Sequence, residues 1–295
     1  MARPAPIDSP PPHGRPARSS RSLVRALVPL SGIAVLILVW DVALSLGGGR
    51  SQLLPRPFAV VRAIAELAQK GFLLKHVVAS LFRVTWGYVA AVIVGIPLGV
   101  VLGWYRRGGM AIAPILEILR PISPLAWIPV AILWFGVGDV SAVFIIFLGS
   151  LFPLTLTAMN AVRGVEVVHV NAGRNFGLRA PELLRRVIYP AILPQLIVGL
   201  RLSLGIAWLV VVAAEMIAVS SGLGFLIIDA RNAGNRYDLV VAGMVLIGVI
   251  GIALDAIMRS LERSKAVAWG YTTILEGEQP DVAGGDAAGR AAVLP

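Results

Sequence analysis

Six apolar stretches, at about residues 23–46, 84–105, 112–135, 140–162, 191–219 and 239–258, constrain this chain more than any other feature. A helix rising about 1.5 Å per residue crosses the roughly 30 Å hydrocarbon core of a bilayer in about 20 residues, and each stretch reaches that length. Hydrocarbon offers no partner to an unpaired peptide group, so such stretches fold as helices whose backbone bonds close within the segment. The rest of the chain is too small to bury them: 57% of the residues are hydrophobic and 14% charged in 31.2 kDa, with mean hydropathy +0.83. The sequence predicts an all-α integral membrane protein with six transmembrane helices.

Residues 1–22, rich in Pro, Arg and Ser with no apolar core, read as a disordered tail and not as a cleavable signal peptide. The membrane domain follows over 23–270, its first span acting as an uncleaved anchor, and a Gly-rich segment at 271–295 reads as a second disordered tail. An even number of spans puts both termini on one side. Arg3, Arg15, Arg18, Arg21, Arg25, Arg106, Arg107, the arginines of the fourth loop, Arg259, Arg263 and Lys265 share that side, which the positive-inside rule makes cytoplasmic. Arg50, Arg56, Arg62, Lys70 and Lys75 run against the rule, in a segment at 47–83 assigned to the outer face with a weakly amphipathic helix at 58–74. The net charge of +10 sits mainly in tails and loops beside spans, where topology and anionic lipid explain it better than nucleic acid. The chain has no cysteine, which excludes disulfides and thiolate metal sites.

Within the spans, Gly95, Gly99 and Gly103 recur every four residues and put three flat spots on one helix face, where a neighbour can approach closely. Prolines 97, 114, 121, 124, 129 and 153 each withdraw a backbone donor from the middle spans, as bends of structural or cavity-lining type.

The loop between the fourth and fifth spans, 163–190, carries its own helix punctuation. A helix over 166–176 ends at Gly177, suited to the left-handed C′ position. A second begins with Pro181 and Glu182 in its first turn and ends with Arg185 and Arg186 before Pro190 breaks into the next span. Ala172 and Gly173 give the first helix a small-residue face that a partner's groove can accept. A solvated amphipathic linker is the alternative reading of the same punctuation.

At these residues the chain resembles the permease subunits of bacterial ATP-binding-cassette importers, whose cytoplasmic motif is E-A-A-x3-G-x9-I-x-L-P. Here it reads Asn171, Ala172, Gly173, then Gly177, and after nine intervening residues Val187, closing with Tyr189 and Pro190. The spacing matches. Asn171, Gly173 and Tyr189 depart from the usual Glu, Ala and Leu. Further runs, among them LLPRPFAVV, HVVASLFRVTWGY, IPLGVVLGWYRR and RPISPLAWIPVAILWFGVGD, extend the resemblance over about 53–269 and narrow it to the nitrate, sulfonate and taurine branch.

The resemblance implies a multi-pass protein of the bacterial inner membrane. The solute path would run between two permease chains, here two identical copies, while two cytoplasmic ATP-binding subunits dock on the 163–190 coupling loop and an external binding protein delivers a small oxyanion. It implies a transport subunit, not an enzyme, with no cofactor of its own. The absence of G-x-x-x-x-G-K-[ST] agrees, since ATP then binds another chain. Asn171, Ala172, Gly173, Gly177, Pro181 and Pro190 are the candidate coupling residues.

Ionisable residues in a span are costly and mark functional candidates, although Glu117 and Arg120 can pair at i, i+3 in a structural role. Arg201 and Glu215 lie fourteen residues apart, near four turns, and so on roughly one face; Ser123 and Trp127 of RPISPLAWIP join them as candidate pathway-lining residues, against structural alternatives of anchoring, helix pairing and packing. The stretch SSGLGFLI reads as an outer glycine-rich loop. His76 and His169 have no second ligand at metal spacing. A secondary transporter of a small anion is the alternative function, though no internal repeat supports it. An intramembrane protease would need H-E-x-x-H or a histidine in a span, and the six stretches contain neither.

Overall fold

The computed structural model describes residues 18–46 and 54–262, and every regular element among them is helical. The chain divides into two units, Met1–Val61 and Arg62–Pro295. The first holds α1, Arg18–Leu46, which starts inside the stretch expected to be tail; its Ser31–Leu46 portion is an apolar helix. Residues 1–17 and the expected C-terminal tail lie outside the described residues. Helix α2, Pro57–Gln69, runs from the end of the first unit into the second.

In the second unit the spans are α3 (Phe72–Trp104), α6 (Asp139–Arg163), α9 (Tyr189–Ala218) and α11 (Tyr237–Glu262). Among the described residues four helices are long and apolar enough to cross a membrane, or five if the bent pair described below is one span. Helix α3 starts twelve residues before the expected span, at Phe72 and not at 84. Its first three turns were assigned to the outer segment because His76, Ser80 and Arg83 lower their hydropathy. All three are buried, so the polarity points into the protein. His76 is thus a histidine within a span helix, contrary to the sequence reading.

The glycine spacing marks the closest helix contact. A Cβ on Gly99 would meet the Thr155 carbonyl and Ala158 Cβ of α6, and one on Gly103 would lie 2.7 Å from Val162 Cβ. One on Gly95 would lie 3.3 Å from Leu154 Cβ, and Gly87 extends the seam to Ile146 at 2.7 Å. Since 87 faces 146 and 103 faces 162, α3 and α6 run parallel. Helix α9 runs antiparallel between α6 and α11: Gly199 abuts Thr157, and Trp208 Nε1 donates to the Ile247 carbonyl at 3.1 Å. In hydrocarbon no hydrophobic effect drives helices together, so backbone approach at small residues supplies much of the attraction.

The third expected span is not a continuous helix. It consists of α4 (Arg106–Leu119), a 3-10 turn (Pro124–Trp127) and α5 (Ile128–Phe135), and the two halves meet at 85°. Pro121, Pro124 and Pro129 within nine residues remove the donors that an unbroken ladder needs, and Pro disfavours helical backbone in the residue before it. Two further expectations are corrected. Pro190 does not break the chain before the fifth span: helix α8 (Ala180–Leu183) continues through a π-type turn at Leu184–Ile188 into α9, giving one helical run from Ala180 to Ala218. The widened turn admits a proline that lacks its N–H. Likewise SSGLGFLI is not a loop beyond Gly222, because α10 spans Leu223–Gly234.

Candidate functional site

Between α6 and α9 the chain forms a compact helix-turn-helix. Helix α7, Val167–Asn175, ends at Gly177, whose φ of 76° is open to glycine and strained for other residues. The Gly177 N–H donates to the Arg174 carbonyl at 2.9 Å and the Leu178 N–H to that of Gly173 at 3.1 Å, which satisfies the carbonyls a helix end leaves open. Pro181 sits in the first turn of α8, and the Arg179 N–H donates to the Glu182 carboxylate at 3.2 Å.

Gly173 joins the two helices. A Cβ there would collide with Leu183 Cδ1 and lie 3.3 Å from Val187 Cγ2, and Leu183 is itself buried. Ala172 and Gly173 therefore do not share one outward face. Gly173 turns inward and is filled by its own chain, while Asn171 and Ala172 are exposed. The departure from the family's usual alanine is matched by Leu183. At the tip, Phe176 is 86% exposed, with Val167 and Val168 also open on α7. Beside α7, Arg106, Arg163 and Arg174 line a groove of about 680 Å³.

Above this loop the bend between α4 and α5 leaves a cavity of about 490 Å³ against α6 and α9, lined in part by Arg120, Pro124, Gly149, Pro153, Asn160 and Gly199. Pro124 seats on Gly149, where a Cβ would lie 3.2 Å from Pro124 Cγ. Ser123 caps the 3-10 turn, its hydroxyl accepting from the Leu125 N–H at 3.4 Å, and Trp127 is half-buried in that turn. Neither lines the cavity; their neighbours Arg120, Ile122 and Pro124 do.

Arg201 and Glu215 engage different neighbours. Arg201 Nε donates to Asp255 of α11 at 2.6 Å, and Asp255 also accepts from Arg259 at 2.8 Å. Glu215 is fully buried at the opposite end of α9. It accepts from Arg83 Nη1 at 2.7 Å, Ser80 Oγ at 2.9 Å and the Gly224 N–H at 3.0 Å. Arg83, 2% exposed, also donates to Asp139 at 2.8 Å, to the Ser221 carbonyl at 2.8 Å and to its hydroxyl at 2.6 Å. The Gly222 N–H donates to His76 Nδ1 at 3.1 Å, and a Cβ on Gly222 would overlap the Glu215 carboxylate.

This network ties the start of α3, the start of α6 and the turn between α9 and α10 together. Sequence reading found only Glu215 of it. The signal present was His76, Ser80 and Arg83 at i, i+4 and i+7, a polar stripe down one face of an otherwise apolar helix.

At the same end, outside the spans, Arg236 Nη2 donates to Glu66 at 2.9 Å and to Asp238 at 2.8 Å, and Lys70 Nζ donates to Glu66 at 2.6 Å. The guanidinium of Arg236, and then Lys70, hold the Glu66 carboxyl at about 2, below its ordinary 4.5. Bonds from Asp238 and Glu66 raise Arg236 in turn. Among the described residues, no group of three or more His, Asp or Glu is placed to hold a metal.

Comparison with known proteins converges on one family. The profile described as "binding-protein-dependent transport system inner membrane component" matches residues 95–267. The putative aliphatic sulfonates transport permease protein SsuC of Bacillus subtilis is 36% identical over 236 residues, 80% of this chain and 85% of that one. The taurine transport system permease protein TauC of Escherichia coli is 35% identical over 238 residues, covering 78% and 86%. Among solved structures, an inward-facing MetNI methionine ABC transporter chain superposes with a TM-score of 0.53 at 21% identity, over 65% of this chain and 97% of that one.

Proposed function

Because the chain belongs to the family of binding-protein-dependent transport system inner membrane components, we propose that it is the permease of an ATP-driven importer of a small oxyanion, an aliphatic sulfonate or taurine first and nitrate next. In this reading six spans cross the inner membrane over a domain at 23–270, with tails at 1–22 and 271–295. The bent α4–α5 pair counts as one span and α1 as another. Both termini and the 163–190 loop are cytoplasmic.

Charge distribution supports that orientation. The loop end carries Arg106, Arg107, Arg163, Arg174, Arg179, Arg185 and Arg186. At the far end Lys70, Arg83 and Arg236 are each bonded to a carboxylate. Of the basic outer segment only Lys70 is paired among the described residues, so Arg56, Arg62 and Lys75 still run against the positive-inside rule and are outvoted by the loop end.

One observation carries the functional reading: α7 is packed through Gly173 onto α8, and α8 runs without a break into the span α9. A push on α7 from a soluble partner is delivered to a membrane helix as a rigid lever, not absorbed by a hinge. Asn171, Ala172 and Phe176 offer the outward contact, with Gly177, Pro181 and Pro190 shaping the unit. Two ATP-binding subunits dock there, a second identical permease completes the path, and an external binding protein supplies the solute. ATP and its metal belong to the partner, so this chain needs no cofactor and performs no chemistry.

Gly177→Pro tests the assignment. Proline fixes φ near −65° and removes the N–H that closes α7. Purification of the tagged chain from gently solubilised membranes should recover an ATP-binding subunit with the wild type and lose it with the variant, at unchanged membrane insertion. Equal recovery from both would refute the docking role.

A further inference from the structure

We propose that Arg120 is the anion-selecting residue of the cavity beside the bent α4–α5 pair; this rests on the oxyanion reading above and adds a residue to it. Two other arginines of the spans are committed, Arg83, buried, to Glu215 and Asp139, and Arg201, partly exposed, to Asp255, whereas Arg120 is exposed. Among the described residues, no hydrogen bond or ion pair engages the Arg120 guanidinium. It lines the cavity of about 490 Å³ at the point where α4 ends, and no carboxylate shares the lining.

The other polar groups there are Thr157 and Asn160 of α6, which can bond to an oxyanion; the rest of the wall is mostly apolar, from Ile122, Leu148, Phe152, Leu156, Leu202 and Ile206. With no carboxylate in the lining to compete for it, one guanidinium raises the local concentration of an anion and lowers that of a cation. Its planar donors match sulfonate and nitrate oxygens two at a time. The proline break holds it in place: Pro124 on Gly149 fixes the corner that follows α4.

The test uses the complete transporter, with its ATP-binding subunits and binding protein, in proteoliposomes supplied with labelled taurine, ethanesulfonate or nitrate. Arg120→Gln should lower ATP-dependent uptake at least about tenfold while the complex purifies in normal yield, and Arg120→Lys should keep half or more, because the charge survives. Uptake by Arg120→Gln within twofold of wild type would overturn the proposal. So would equal loss in both variants, which would assign Arg120 a role in shape and not in charge. A wild type that takes up none of these anions would instead overturn the oxyanion reading, and this proposal with it.

Discussion

Arg83 and Glu215 face each other at 2.7 Å inside a bundle of apolar helices, and each would be costly alone. Removing one member of a buried pair strands the other, at about 3–5 kcal/mol. Arg83→Met should therefore lower the thermal midpoint of the detergent-purified protein by the equivalent of that loss, while Leu202→Ala, on the cavity wall and 65% exposed, should change it far less. A cost under about 1 kcal/mol for Arg83→Met would mean the carboxylate reaches water.

Gly173 gives a second prediction. Ala at this site must displace Leu183, an overpacking of about 1–3 kcal/mol, and a smaller residue at 183 should restore the loss. The thermal midpoints of Gly173→Ala, Leu183→Ala and the double variant form a cycle that checks this; additive effects would contradict the contact. Glu66 gives the third. Its carboxyl lies at about 2 when folded against an ordinary 4.5, so the unfolded chain takes up the proton first as pH falls. The stabilisation from Arg236 and Lys70 is complete above about pH 4.5 and lost progressively towards about pH 2. The gap in thermal midpoint between wild type and Glu66→Gln should be constant above pH 5 and close below it; a gap unchanged down to pH 3 would contradict the bond.

At the level of the element, the α3–α6 seam was legible because glycine spacing maps directly onto a helix face. Gly99→Val would drive a branched side chain into the Thr155 carbonyl and should prevent accumulation of folded protein, whereas Gly248→Val, with open space around its Cα, should be tolerated. Fluorescence-detected size exclusion of tagged variants distinguishes the two. The bend between α4 and α5 was visible only as a cluster of prolines. Periodicity and hydropathy do not distinguish one long helix from two short ones at 85°, since both are built from the same apolar residues. The continuous helix at 180–218 was missed for the converse reason: a proline reads as a stop, and a π-type turn that accommodates it has no composition of its own. The start of α3 was missed because buried polar residues count against a span in any hydropathy sum, although their partners make them stable there.

Across the whole molecule, membrane class, helical architecture and transport family were legible, because length and hydropathy fix the first two and the spacing of the 163–190 motif carries the third. The candidate site was legible in part. The helix-turn-helix at 163–190 was legible from its punctuation but not that Gly173 packs against its own chain, and Arg201 and Glu215 stood out as charges in a span when each is tied to a neighbouring helix. Pairing across a tertiary contact leaves no trace in the sequence of one segment. In the sequence Arg120 reads as an i, i+3 partner of Glu117; the structure shows no such pair among the described residues, and only the proline bend that opens a cavity beside it makes it a candidate.

In the proposed mechanism, motion in this chain is driven by ATP hydrolysis on another chain, delivered through α7 and α8 into α9. Its most direct test is uptake of labelled solute by the reconstituted transporter with the ATP-binding partner intact or catalytically inactive. The account predicts accumulation that requires ATP and falls to background with the inactive partner, at equal amounts of assembled complex. Uphill accumulation that persists with the inactive partner would contradict it and make the chain a transporter that works alone.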